Sequence, residues 1–209
     1  PPSASWHSSR IPPATRWRCS SQRCSRHRSE ILRSQSTLPQ DDKAVTWYGK
    51  IVESFPQASQ AAKAAGAKRR LESVGKTIAL SGTTLDGKAA SLDLLRGRTV
   101  LIHYWATWCE PCKQDLVTLK QVQAKFAKQG LTVLGINLDS DRAAAITYLQ
   151  DNPLPWPHLY EPGGLDSRLA TELGILTLPT MILLDKDGKV INRNIHAAEL
   201  DEELGKRLR

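Results

Sequence analysis

The run His103-Tyr104-Trp105-Ala106-Thr107-Trp108-Cys109-Glu110-Pro111-Cys112-Lys113 decides how the rest of the chain is read, because one kind of pattern gives way to another inside it. Residues 99–105 read as a buried strand, and residues 111–128 as a helix whose first turn is preorganised by Pro111. Two thiols separated by two residues therefore stand at a strand-to-helix junction. Such a pair can close a small disulfide ring and reopen it without a large rearrangement. At the helix N-terminus Cys109 meets unpaired backbone N–H groups and the positive end of the helix dipole, which stabilise a thiolate. Cys112 lies one turn further in and is shielded. The spacing thus predicts Cys109 as the attacking thiol and Cys112 as the resolving thiol.

Glu110 opposes the dipole. A negative charge beside Cys109 disfavours its thiolate, which makes the dithiol a weaker oxidant and tilts it toward reducing its partners. Lys113 is a solvated charge that softens this effect. Two other uses of the pair stay open on the residues alone. A zinc site needs two further ligands, and the body of the chain offers only His103, His158 and His196, none in a paired motif. A purely structural bridge over so short a loop adds little stability. The reading carried forward is a redox-active Cys109–Cys112 disulfide with no metal and no other cofactor.

Outward from this junction, residues 74–209 alternate short strands with helices, the signature of an α/β domain. An opening hairpin is expected from residues 78–80 and the Asp86-Gly87 turn, then a short helix over 91–95. A buried strand follows at 131–138, helices at 141–150 and 166–173, and a strand at 180–184. Residues 189–193 return across Asp187-Gly188, and a last helix covers 198–208. Upstream, residues 41–73 predict a helical extension. Its first helix starts at Asp41 or Asp42, places Trp47, Tyr48, Ile51, Val52 and Phe55 at helical spacing and stops at Pro56; the second, alanine-rich, covers 59–71. The pair looks like one tetratricopeptide-type helical hairpin, but no second copy follows.

The chain has 209 residues and a formal charge of +8, of which residues 1–40 carry +6 through seven arginines and one acid, Glu30. The remainder is nearly neutral, so a phosphate-tracking surface on the folded body, and with it nucleic-acid binding, is not expected. Ten serines, five prolines and few core-forming residues make 1–40 a disordered tail in this reading. Its composition resembles an organelle transit peptide and lacks the apolar centre of a secretory signal, so an export signal is expected outside this sequence. Cys19 and Cys24, with His27 nearby, match no closed metal site. No run of about 18 uncharged apolar residues is present, so no membrane-spanning helix is expected.

Residues 103–113 resemble the active-site run of the thioredoxin superfamily, closest to the TlpA/ResA-type thiol-disulfide oxidoreductases on the outer side of bacterial membranes. The resemblance implies a thioredoxin fold, a central mixed sheet flanked by helices, over 74–209, with the strand and helix after Leu131 as the insertion of this subfamily. It implies that Leu178-Pro179-Thr180 is the cis-proline element beside the dithiol, so that Pro179 follows a cis bond and, with Leu178 and Trp108, touches substrate. It further implies a disulfide-containing client protein such as apocytochrome c, an upstream membrane thiol transporter as reductant, a monomer, and a place in the bacterial periplasm or cell envelope.

Departures from the family pattern are visible. His103 stands where relatives bury an aspartate or asparagine beneath the dithiol; a neutral imidazole there can accept the Cys112 proton or serve only as a core histidine. Asp115 lies near where relatives carry a glutamate, either moving protons or facing solvent. Val117 replaces a helix-kinking proline, which predicts a straighter helix. Trp105 and Trp108 flank the dithiol, and Trp156 reads as a gap filler. Two rival functions remain: a thiol peroxidase of the peroxiredoxin type, whose local pattern Thr107-Trp108-Cys109 lacks the needed proline, and a non-catalytic binding module, which has no use for two cysteines.

Overall fold

The computed structural model describes residues 39–208. Strand β3 (Thr99–Trp105) is buried along its whole length, as a near-continuous apolar run demands, and it occupies the middle of a five-stranded sheet. With β4 (Leu131–Asn137), β5 (His158–Tyr160), β6 (Thr180–Leu184) and β7 (Val190–Asn192) the order is β5-β4-β3-β6-β7. Strands β3, β4 and β5 run parallel, and β6 and β7 are antiparallel to their neighbours. The sheet is mixed, the helices cover its two faces, and the fold is thioredoxin-like.

Helix α3 (Glu110–Phe126) lies on the face formed by Leu101, Trp105, Leu131, Val133, Met181 and Leu183, where α6 (Leu200–Arg207) joins it. The other face, with Val100, Ile102, Tyr104, Leu134, Ile136 and Ile182, is covered by Ile78, Leu80 and Leu92 and by the segment around α5 (Arg168–Thr171). A small hairpin of β1 (Ser81–Thr83) and β2 (Ala89–Ser91) leans on the β5 edge, where Leu85 donates its N–H to the His158 carbonyl at 2.8 Å. Helix α4 (Arg142–Asp151), capped by the Asp141 carboxylate on Ala143 N–H, fixes that turn by a 2.7 Å bond from Arg142 to the Leu85 carbonyl.

The extension consists of α1 (Pro39–Ser54) and α2 (Ser59–Leu71) packed on each other. Helix α1 begins at Pro39, so Asp41 and Asp42 fall inside its first turn, where the dipole favours them, and neither is the cap. Asp41 instead pairs with Arg193 beside β7 at 2.5 Å. Helix α2 meets the α5 region through Gly66: a Cβ there would stand 1.9 Å from the Thr171 carbonyl oxygen, so only glycine allows the approach. Arg69 and Arg70 donate to the Glu172 and Leu173 carbonyls at 2.7 and 3.1 Å.

Other expected elements shift. Pairing in the opening hairpin starts at Ser81, and Ile78 and Leu80 are a buried connector, because the turn at residues 84–88 sets the register. The helix expected over 166–173 is a 3-10 turn (Gly164–Asp166) followed by the single turn α5. Strand β5 has no counterpart in the sequence reading. The expectations for residues 1–40 below Pro39, including Cys19, Cys24 and His27, lie outside the described residues, and none of the described helices is long and apolar enough to cross a membrane.

Candidate active site

The junction after β3 is held from the neighbouring strand. Leu138 donates to the Trp105 carbonyl at 2.8 Å, and the buried Asp139 carboxylate accepts from Thr107 N–H at 3.0 and 3.1 Å and from Thr107 Oγ1 at 2.7 Å. Asn137 locks that carboxylate in turn, donating from Nδ2 at 2.6 Å while its own oxygen accepts Asp139 N–H at 3.1 Å. The four contacts to Trp105 and Thr107, braced by the two between Asn137 and Asp139, preset the loop that delivers Cys109 to the start of α3.

Cys109 is the N-cap of α3, with extended backbone angles, and its Sγ accepts the Cys112 N–H at 3.3 Å. The cap places sulfur where a Ser or Asp oxygen commonly sits, so the orphan amide and the helix dipole both act on it. Cys109 and Cys112 are joined as a disulfide with Cα atoms 5.2 Å apart. Cys109 retains 5% exposure and Cys112 none, so incoming groups reach Cys109 first. Pro111 fills the first turn, and Glu110 is exposed and paired with Lys113 at 3.1 Å. Helix α3 runs unbroken past Val117, whose side chain is solvent-exposed.

Opposite the dithiol, the Leu178–Pro179 bond is cis, as expected. Thr180 pairs with Tyr104, so this loop reaches the end of β3 from which the dithiol projects, and Leu178 packs on the cluster that contains both cysteines. Trp108 is 60% exposed beside Cys109, and Leu176 is exposed in the same loop as Pro179.

Beneath it, alternation along β3 puts His103 between Leu101 and Trp105 on the α3 face. His103 is wholly buried and neither ring nitrogen has a hydrogen-bond partner among the described residues. Burial first, and the neighbouring His158 second, pull its pKa down to about 3, so the ring is neutral in the oxidised protein. Asp115 is half-buried on α3; burial raises its pKa while His196 works against the rise. Sequence reasoning missed the Asn137–Asp139 lock, whose only signal is two polar residues at the carboxyl end of the strand beside β3. It also passed over His158, which it considered only as an absent zinc ligand. Among the described residues, no group of three or more His, Cys, Asp or Glu is placed to hold a metal.

A capped dithiol facing a cis-proline loop, on a mixed sheet of this order, defines a thiol-disulfide oxidoreductase of the thioredoxin fold. The Redoxin family model matches residues 53–206, and the chain belongs to that family. The thiol-disulfide oxidoreductase ResA of Bacillus thuringiensis subsp. konkukian is 30% identical over 122 residues, covering 58% of this chain and 68% of the relative. Among solved structures, a thiol-disulfide oxidoreductase from Bacteroides fragilis is 33% identical with a TM-score of 0.57, covering 62% of this chain and 97% of that one. A secreted thiol-disulfide isomerase from Corynebacterium glutamicum is 28% identical with a TM-score of 0.53, covering 64% and 83%. The protein is a thiol-disulfide oxidoreductase acting on disulfide-containing client proteins, with Cys109 and Cys112 as its CxxC pair.

Proposed function

We propose that the protein works as a reductant of client disulfides outside the cytoplasm, as a monomer recharged by an upstream membrane thiol donor. The observation that carries this reading is the uncharged floor of the site: His103 is neutral and Lys113 is paired with Glu110, so neither of these groups adds to the helix dipole in stabilising the Cys109 thiolate. A poorly stabilised thiolate gives up its electrons readily. In the reduced state Cys109 thiolate attacks a client disulfide, forming a Cys109–client bond and releasing the first client sulfur as a thiolate. Cys112 then attacks Cys109 Sγ while its proton passes, by way of the neutral His103 ring, to the departing client thiolate. The Cys109–Cys112 bond forms, the second client sulfur leaves, and the client has gained two electrons. Asp115, half-buried with a raised pKa, assists proton movement on the α3 side. Trp108, Leu178 and the backbone at Pro179 receive an extended client segment.

The secreted Corynebacterium relative supports the envelope or periplasm as its place, and the client we propose is a protein with a paired-cysteine haem-attachment segment, such as apocytochrome c. The test is a trap. Cys112→Ser, reduced and mixed with an oxidised peptide bearing Cys-x-x-Cys-His, the haem-attachment pattern, is expected to accumulate a mixed disulfide on Cys109. Absence of that adduct, or an equal one from Cys109→Ser through Cys112, contradicts the assignment.

A further inference from the structure

Gly135 of β4 stands between His103 of β3 and His158 of β5 in the register of the three parallel strands. A Cβ at position 135 would lie 2.2 Å from His158 Nδ1, so the space left by the glycine is filled by the His158 imidazole leaning back across β4. In that position Nδ1 accepts the Trp105 indole N–H at 3.2 Å, with the rings 5.4 Å apart and near perpendicular, and Trp156 closes the other side. The polarity of this bond is forced. An indole nitrogen can only donate, so Nδ1 must carry a lone pair and the neutral ring must hold its proton on Nε2. Trp105 is fully buried in the cluster that contains Cys109 and Cys112 and rests on Tyr148 of α4, ring centroids 5.4 Å apart.

We propose that His158 is a positioning residue for disulfide exchange: its unprotonated Nδ1 anchors the Trp105 indole and so fixes the aromatic floor on which the Cys109–Cys112 bond opens and closes. The inference rests on the dithiol being the reactive pair and adds a residue that never touches substrate. Protonation would turn Nδ1 into a donor facing a donor, and the anchor would release. Burial holds His158 down to about 4, which keeps the anchor closed at neutral pH. The ionisable groups around it agree with that state. His103 on β3 is neutral, and burial raises the Tyr148 and Tyr160 hydroxyls on α4 and β5, so they too are uncharged. Arg142 of α4 is tied to the Leu85 carbonyl. In the hairpin turn lining the same cleft, Asp86 is held ionised by Lys88 and Thr84, and Lys88 is matched by it.

The test compares His158→Gln, whose amide oxygen accepts the indole N–H and does not titrate, with His158→Leu, which orphans it. The first readout is the Trp105 indole N–H resonance, assigned by its loss in Trp105→Phe and followed into acid. It is expected to titrate in the wild type with a midpoint near the His158 pKa of about 4 and to stay flat in His158→Gln. The second is the rate at which a preformed Cys109 mixed disulfide is resolved at neutral pH. An orphaned buried donor predicts a loss of about tenfold in His158→Leu, recovery to within about threefold of wild type in His158→Gln, and a smaller loss on substituting His158 when Trp105 is already Phe. A wild-type indole indifferent to acid overturns the proposal, as does His158→Leu resolving at the wild-type rate. A folded His158→Gln as slow as His158→Leu also overturns it, by moving the role to proton chemistry of the imidazole. If His158→Leu does not fold, the indole titration in the other two proteins decides. Exchange that survives in Cys109→Ser would remove the underlying reading of the dithiol and leave the indole titration untouched, so the two failures are distinguishable.

Discussion

The two faces of the central sheet are built to different rules. The face away from α3 is largely an apolar core of Ile, Leu and Val, and the polar side chains it holds are bonded: the Tyr104 hydroxyl donates to the Leu169 carbonyl at 3.3 Å and the Thr180 hydroxyl to the Thr177 carbonyl at 2.8 Å. The α3 face carries the dithiol and, beneath it, buried nitrogens of His103, His158 and Trp156 that have no partner among the described residues. Buried polar groups left unpaired are costly and are rare in native proteins without a reason. Both faces bury a large apolar cluster, and the α3 face in addition tolerates an expensive set of unpaired polar atoms where the chemistry is.

Substitutions on either face separate the two roles. The largest effect belongs to Cys109→Ser, which should reduce client-disulfide reduction to background while costing no more than about 2 kcal/mol of denaturant stability, because the bridge closes so short a loop. Its counterpart on the opposite face is Ile182→Ala, expected to cost about 2–5 kcal/mol in a denaturant titration with no change in the rate per folded molecule. A slowed exchange rate in that variant would mean that the faces are not independent.

Acid comes next. His103 and His158 have pKa values pulled down to about 3 and about 4, against about 6.5 in the unfolded chain. The unfolded state binds more protons below that value, so the stability these neutral rings permit is complete above about pH 6.5 and is lost as the pH falls toward the folded values. The loss reaches about 1.4 kcal/mol per pH unit for each histidine. Equilibrium unfolding between about pH 7 and pH 5 should show this slope, and His103→Leu should make it shallower. That variant should also gain about 1–3 kcal/mol at neutral pH by removing an unpaired buried polar group, while mixed-disulfide resolution slows. A His103→Leu protein that is less stable and equally fast would show that the imidazole is a packing residue.

The smallest effect is expected at the rim. Glu110→Gln removes a charge already paired with Lys113 on the surface, worth less than about 1 kcal/mol. The dithiol should become more oxidising by no more than about 20 mV, measured by redox equilibration.

What the sequence shows and hides follows the same division. Strand β3, the helix behind Cys109, strand β6 and the cis bond before Pro179 were legible because each rests on a local pattern or a marked motif, and the extension helix at Ser59–Leu71 was legible from its composition. Strand β5 was not, since three residues behind Pro155-Trp156-Pro157 have no period to read. Ile78 and Leu80 mislead because their burial has the pattern of a paired strand. The bonds from Thr107 to Asp139 and from Trp105 to His158 were invisible for a different reason: they join side chains 32 and 53 residues apart, and only the register brings them together.

The central claim is that this site is a reductant. The reduction potential of the Cys109–Cys112 couple, measured by equilibration in a dithiothreitol or glutathione buffer with thiol labelling, tests it most directly. The account predicts a value toward that of thioredoxin, about −270 mV; a value near that of the strong oxidant DsbA, about −120 mV, would contradict it.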